Sequence, residues 1–170
     1  MANSEIAKQK IVDALFELLK NQQLDSISVS DICHQAAISR MSYYRRFKIK
    51  SAIVDYEIDQ IFTDFFNLLK QRHNPKVTDF LETFFIVCRR HKKYIKILVD
   101  AQLNDRLYQK LNYYFTDLIN KGIFKFKTDM PILWVDFVSG GLNRMVMQWA
   151  HDDFKQTNQE MVMVAHRFLK

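Results

Sequence analysis

Glycine occurs three times and proline twice in the 170 residues of this chain, far below the averages of about 7% and 5%. Sheets need many tight turns, and tight turns draw on these two residues above others. A chain this poor in them is expected to be helical, with few and short connections. With 48% hydrophobic residues it can bury a real core, which excludes disorder. The length suits one ordinary domain or a small domain leaning on a larger one.

Apolar periodicity gives the helices. Ile11, Leu15, Leu18 and Leu19 share one face of a segment from about 4 to 21. "SVSD" at 28–31 has the [ST]xx[DE] form, so Ser28 is expected to cap a short helix carrying Ile32, Cys33 and Ala36. Ser39 is a second N-cap, opening a third helix through Arg46. Two short helices with so brief a turn between them make a helix-turn-helix. A long helix follows from Lys50 to about 71, with Ile53, Ile58, Ile61, Phe62, Phe65, Leu68 and Leu69 as its stripe. Further helices are expected at roughly 76–90, 92–100, 104–121, 129–151 and 157–169, with Pro75 and Pro131 in first turns. The predicted class is all-α, about nine helices. A three-helix helix-turn-helix domain over 1–50 is followed by a helical bundle over 51–170.

Charge is concentrated near the N-terminus. The formal balance is +6, and residues 1–54 hold eight Lys/Arg against five Asp/Glu. Five of those cations fall within 40–50, in "ISRMSYYRRFKIK" at 38–50, which has no acid. Most charge runs are solvated faces. Here the cations alternate with tyrosines and serines directly after an apolar run, which is the composition of a surface that meets phosphate.

The stretch "SVSDICHQAAISRMSYYRRFKIKSAI" resembles the DNA-binding signature of TetR-family repressors, closely over the first fifty-odd residues and in outline beyond. The resemblance implies that Tyr44 and Lys50 contact phosphate. The residue types agree with it. A recognition helix needs small polar and basic side chains near its N-terminus, and Ser39, Arg40, Ser42 and Tyr43 stand there. Arg40 is the expected guanine reader through a bidentate contact. Ser28, Tyr44 and Lys50 suit phosphate clamping; Arg45, Arg46 and Lys48 add nonspecific attraction, and Phe47 belongs to the core. Gln23, Ala37 and Met41 stand where the family commonly has glycine. A left-handed Ala37 would cost about 1 kcal/mol, so a different closure of the turn is expected there.

The resemblance also implies that the C-terminal helices dimerise and enclose an effector pocket, so the expected partners are a palindromic DNA duplex, a second copy and a small apolar effector. Phe62, Phe65, Phe66, Phe84, Tyr94, Tyr114, Asp136 and Phe137 are the pocket candidates, an aromatic set with few polar groups. Gly140, Gly141, Arg144, Met145, Gln148, Met161, Ala165 and Phe168 are the candidates for the dimer seam, the paired glycines permitting close helix approach. "FVSGGLNRMVMQW" is similar to the C-terminal region of a TetR subgroup related to the dihydroxyacetone kinase operon regulator, which would make the effector a protein partner and the regulator an activator.

Other classes fare poorly. No GxGxxG, GxSxG, Walker A or HExxH occurs, and the five histidines show no i,i+4 pair, so no enzyme, cofactor or metal centre is expected. Cys33 and Cys88 are far apart and outside any CxxC, which fits a reducing compartment. A basic helical module for membranes or proteins would need a broad apolar face that 40–50 lacks. The start has no signal-peptide core and the apolar runs are too short to span a bilayer. A cytoplasmic protein is expected.

Overall fold

The apolar stripes become helices in the computed structural model of the chain, which describes residues 2–73, 75–122 and 130–169. Among these residues there are nine helices and no strand: α1 (Ala2–Leu18), α2 (Val29–Gln35), α3 (Arg40–Tyr44), α4 (Lys50–Leu69), α5 (Val77–Arg90), α6 (Lys92–Asp100), α7 (Asn104–Asn120), α8 (Pro131–His151) and α9 (Asn158–Phe168). The chain is all-α, as expected. It divides into two compact units, Met1–Asp59 and Gln60–Lys170. The division falls inside α4 instead of at 50/51. The first turns of α4 belong with the head, because Tyr56 packs edge-on against Phe47 at 5.7 Å and its hydroxyl donates to Glu5 at 3.1 Å.

In the first unit α1 buries Ile11, Val12, Leu15 and Phe16, and α2 adds Ile32 and Cys33. Phe47 is buried, in keeping with its expected core role. Ser28 caps α2 reciprocally with Asp31: Ser28 Oγ accepts from the Asp31 N–H at 3.1 Å, and Asp31 Oδ2 accepts from the Ser28 N–H at 2.9 Å. The Ser28 hydroxyl also donates to Asp31 Oδ2 at 2.6 Å, and that bond first, then the one from the Ser28 N–H, holds the Asp31 carboxyl below its ordinary pKa.

The turn between α2 and α3 closes in the glycine manner without a glycine. Ala37 adopts φ 52°, the Ile38 N–H reaches Cys33 O at 3.0 Å and the Ala37 N–H reaches His34 O at 3.1 Å. These are the two bonds of a Schellman C-cap. The expectation of a different closure is therefore corrected: the two bonds and the burial of Ala36 beside them outweigh the left-handed strain.

In the second unit α5 packs on α9, α7 on α8 and α6 on α8. Phe65 of α4 meets Phe80 of α5 edge-on at 5.3 Å. Trp149 is 1% exposed, set between Phe85 at 5.7 Å and Phe154 at 5.0 Å, with the Arg89 guanidinium 4.7 Å from its ring centroid. Pro131 opens α8 as expected, whereas Pro75 stands before the N-cap of α5, Lys76. The proline thus ends the preceding connection instead of entering the helix, and Asp79 accepts the Lys76 N–H at 2.9 Å. α1 and α4 stop at Leu18 and Leu69, two or three residues before the expected ends. Residue 129, the expected first residue of the segment 129–151, lies outside the described residues.

Left-handed strain at a residue with a Cβ costs roughly 1–2 kcal/mol, partly offset by the extra unfolded-state freedom of glycine, about 0.4–1 kcal/mol. Ala37→Gly is expected to raise stability by about 0.5–1 kcal/mol. The check is urea denaturation: the midpoint should rise with the slope unchanged.

Candidate nucleic-acid interface

α3 is short, and its caps decide what it presents. Ser39 Oγ accepts from the Ser42 N–H at 3.1 Å, which fixes the start of the helix one residue before Arg40. From there the side chains divide between the inside and the outside. Tyr43 is wholly buried, with its ring 5.3 Å from that of Tyr44 and nearly perpendicular to it. Burial, then the neighbouring Tyr44 and Cys33, push the Tyr43 phenol above its ordinary pKa. Its hydroxyl has no hydrogen-bond partner. Tyr43, expected at base edges, is instead held in the core of the head. Tyr44, 56% exposed, is the tyrosine that faces out.

The cations also divide. Arg40 is exposed, and its guanidinium donates to Ser30 Oγ of α2, tying the start of α3 to its neighbour. Arg46 folds back: its Nη1 donates to the Ser42 carbonyl and to Ser42 Oγ, both at 2.8 Å. Lys50 is half-buried, and its Nζ donates to the carbonyls of Leu24 at 2.8 Å, Asp25 at 3.0 Å and Ile27 at 2.6 Å. Sequence reasoning missed this entirely, because an ammonium set on carbonyls reads the same as one set on phosphate. Arg45 and Lys48 are exposed and, among the described residues, form no ion pair. Met41, 73% exposed, and Ile49, 61% exposed, stand in the same stretch. The outward surface of this segment is Ser39, Arg40, Met41, Tyr44, Arg45, Lys48 and Ile49, with Ser28 exposed at the start of α2.

The second unit gathers some of the pocket candidates. Phe62, Phe65 and Phe84 line an apolar cavity together with Leu107, Leu111 and Asn143. Its open volume is about 20 Å³, room for about one water. Tyr114 stacks on Phe62 at 4.5 Å and meets Phe66 at 5.4 Å, backing that wall. Asn143 Oδ1 is buried without a partner while its Nδ2 points to Met147 Sδ at 3.7 Å. Tyr94, Asp136 and Phe137 do not line the cavity. Asp136 is exposed and accepts from Asn112 at 2.6 Å, and Phe137 is 63% exposed. The helical period carries 136 and 137 to the outer side of α8, away from Val135 and Val138, which are buried.

Phe137 lies in a groove of about 270 Å³ between α8 and α9, with Gly141, Met145, Val164, Ala165 and Phe168. Of the seam candidates, Gly141, Arg144, Gln148 and Phe168 are exposed and Gly140 and Met145 half-buried. Met161 and Ala165 are buried. A Cβ added at Gly140 or Gly141 would meet nothing within 4 Å.

Residues 76–170 match the family described as "Transcriptional regulator C-terminal region", of the TetR type. The chain is 27% identical over 128 residues to the uncharacterized HTH-type transcriptional regulator YvdT of Bacillus subtilis, covering 68% of this chain and 66% of that protein. Solved structures share the fold. Lin0861 from Listeria innocua has a TM-score of 0.76 at 16% identity, over 100% of this chain and 94% of its own. A TetR transcriptional regulator from Streptococcus agalactiae has 0.67 at 18%, over 99% and 96%. The fatty acid degradation regulator FadR from Bacillus halodurans has 0.63 at 16%, over 95% and 93%. The fold is that of a transcriptional regulator with an N-terminal helix-turn-helix. The chain belongs to the TetR family.

A buried hydroxyl without a partner costs about 1–3 kcal/mol in desolvation. Tyr43→Phe is therefore expected to leave stability unchanged or raise it by up to about 1 kcal/mol. It should also keep whatever DNA affinity the protein has. Thermal unfolding and a binding titration check both halves. A loss of DNA affinity in the folded variant would return Tyr43 to the interface.

Proposed function

We propose that the protein is a sequence-specific DNA-binding regulator that acts as a homodimer on a palindromic duplex, repressing until a small apolar effector binds. The observation that carries this reading is the division within α3 and the segment after it. The two N-caps set a rigid pair of short helices. Tyr43 and Phe47 anchor it inside, and Arg40, Tyr44, Arg45 and Lys48 are left outward. Hydroxyls and cations in that arrangement suit phosphate contact, and Arg40 retains donors beyond its bond to Ser30 for a base edge. The apolar lining with a single polar group, Asn143, suits an uncharged effector; the closed cavity holds about one water, so a binder has to part these helices, and it would act through its differential affinity for DNA-competent and DNA-incompetent dimers. A fold relative named for regulation of fatty acid degradation is in keeping with an apolar effector.

Selection of duplexes from a random library by the full chain should enrich a palindrome. Affinity for it should fall steeply with salt, by roughly 0.9 log unit per log salt for each phosphate contacted. Arg40→Ala should relax preference at one base pair in each half-site, at a cost of about 1–3 kcal/mol. Failure to enrich any sequence, with binding of equal strength to all duplexes, would sink the specific-regulator reading.

The α8–α9 groove supports the dimer. Phe137 and Phe168 are 63% and 71% exposed on either side of it, and the open space at Gly141 lets a leucine there fit the single chain. Gly141→Leu is accordingly expected to shift the protein toward monomer in analytical ultracentrifugation while its helical content is kept. A fully dimeric variant would place the seam elsewhere.

A further inference from the structure

Lys50 is the first residue of α4, a helix of 20 residues with no acid in its first turn. A cation there faces the positive end of the helix dipole, so the helix gives no reason for it. The reason lies across the head. The chain between α1 and α2 turns its carbonyls inward at Leu24, Asp25 and Ile27, and the Lys50 Nζ sits among them at 2.8, 3.0 and 2.6 Å. A lysine ammonium has three N–H donors and no acceptor. All three are committed, at or below the usual length of an N–H···O bond.

The residues held this way lead straight to the reading surface. Ile27 is fully buried, and Ser28 next to it caps α2. α2 in turn carries Ser30, the acceptor for Arg40 at the start of α3. Removing the ammonium would leave three inward carbonyls without that partner, at the point where the path of α2 is set.

We infer that Lys50 is a positioning residue of the reading head and not a phosphate ligand: it clamps the α1–α2 connection so that α2 and α3 present Arg40 and Tyr44 correctly. This rests on the DNA-binding reading of the head. On this reading the exposed Arg45 and Lys48 are the cations of this stretch left to meet phosphate.

Two substitutions at Lys50 separate a clamp from a ligand. Lys50→Arg keeps the charge, but a planar guanidinium fork matches a phosphate well and cannot converge on three carbonyls around one point. Lys50→Met keeps the stem and removes the charge. Lys48→Met is the comparison. Each full-length variant is titrated with a labelled random-sequence duplex over a range of salt, at a temperature where circular dichroism shows it fully folded. Thermal unfolding and amide exchange of residues 24–28 are followed in parallel.

The clamp predicts that both Lys50 variants lose affinity about tenfold with the salt slope unchanged, and that amides 24–28 exchange faster. The unfolding midpoint should drop by about 2–4 °C, the shift that about 1 kcal/mol produces in a chain of this length. Lys48→Met should instead lower the slope by about 0.9 and leave the midpoint alone. Lys50→Arg behaving as wild type, or Lys50→Met lowering the slope by about 0.9 with an unchanged midpoint, would make Lys50 a phosphate ligand after all. A lowered midpoint with unchanged affinity would reduce it to a stabilising residue and overturn the positioning role. Should the wild type bind no duplex, the DNA reading fails by itself, and the midpoint and exchange data still decide whether the clamp exists.

Discussion

Each helix leaves four N–H groups at its start and four carbonyls at its end without partners inside it. A chain built from helices, with almost no glycine, has to satisfy these groups by other means. At the N-termini it uses carboxylates: Asp31 on Ser28, Asp79 on Lys76 and Glu160 on Thr157, at 2.9, 2.9 and 2.7 Å from the backbone N–H. The hydrogen bonds hold the Asp31 and Glu160 carboxyls below their ordinary pKa, those from the Ser28 hydroxyl foremost in one case and the Thr157 N–H in the other. The stabilisation is therefore complete above the unfolded carboxylate pKa and fades as pH falls through the lower folded values. At the C-termini the chain accepts left-handed conformations at residues with a Cβ: Ala37, Gln102, Asp153 and Phe154. Three of the reversals close with the same long bond, Ile38 to Cys33, Leu103 to Leu98 and Phe154 to Trp149, at 3.0, 2.8 and 2.7 Å.

Cations meet carbonyls of the connections between helices as well, and this changes how the charge of the protein is read. Lys50 holds the α1–α2 connection. Lys96 donates to Ala150 O at 3.3 Å and pairs with Asp153 at 3.0 Å, which raises its pKa. Arg89 donates to Gln156 O while lying on the Trp149 ring, and the Trp149 indole N–H reaches the same carbonyl at 3.0 Å. A count of Lys and Arg treats these as surface charge available to an anion. In the structure Lys50 and Arg89 hold carbonyls of the connections, and Lys96 one of the last turn of α8. The basic run at 40–50 was legible as a segment, since its density does not depend on geometry. Its members were not legible one by one. Arg46 turned back onto Ser42, and Tyr43 turned inward, for reasons that lie in the packing of three helices around a common core.

The same limit explains the second unit. Apolar periodicity placed its helices to within a few residues, because burying one face of a helix is a local property of spacing. The capping of α2 was legible too, in the spacing of Ser28 and Asp31. Which aromatic residues share a cavity is a property of several helices at once. Phe62, Phe65 and Phe84 converge because α4 and α5 face each other there, as the edge-on contacts of Phe65 with Phe80 and Phe84 attest. Phe137 carries the same side-chain chemistry but stands about 100° round α8 from the buried Val138 and about 160° from the buried Val135. An aromatic count cannot make that distinction.

The run Ser139, Gly140, Gly141 shows how these two kinds of information combine. Ser139 is fully buried with its hydroxyl unpartnered, Gly140 is half-buried and Gly141 is exposed. Each glycine in a helix interior costs roughly 0.5–1 kcal/mol relative to alanine. The sequence admits two reasons for bearing that cost, a break in the helix or the close approach of another. α8 runs unbroken from Pro131 to His151, which removes the first. A Cβ at either position would meet no atom of this chain within 4 Å, so no helix of the chain itself supplies the second. The glycines answer to nothing inside the single chain. A surface where side chains are missing, beside exposed phenylalanines that leave an apolar groove uncovered, is the face on which the proposed dimer rests.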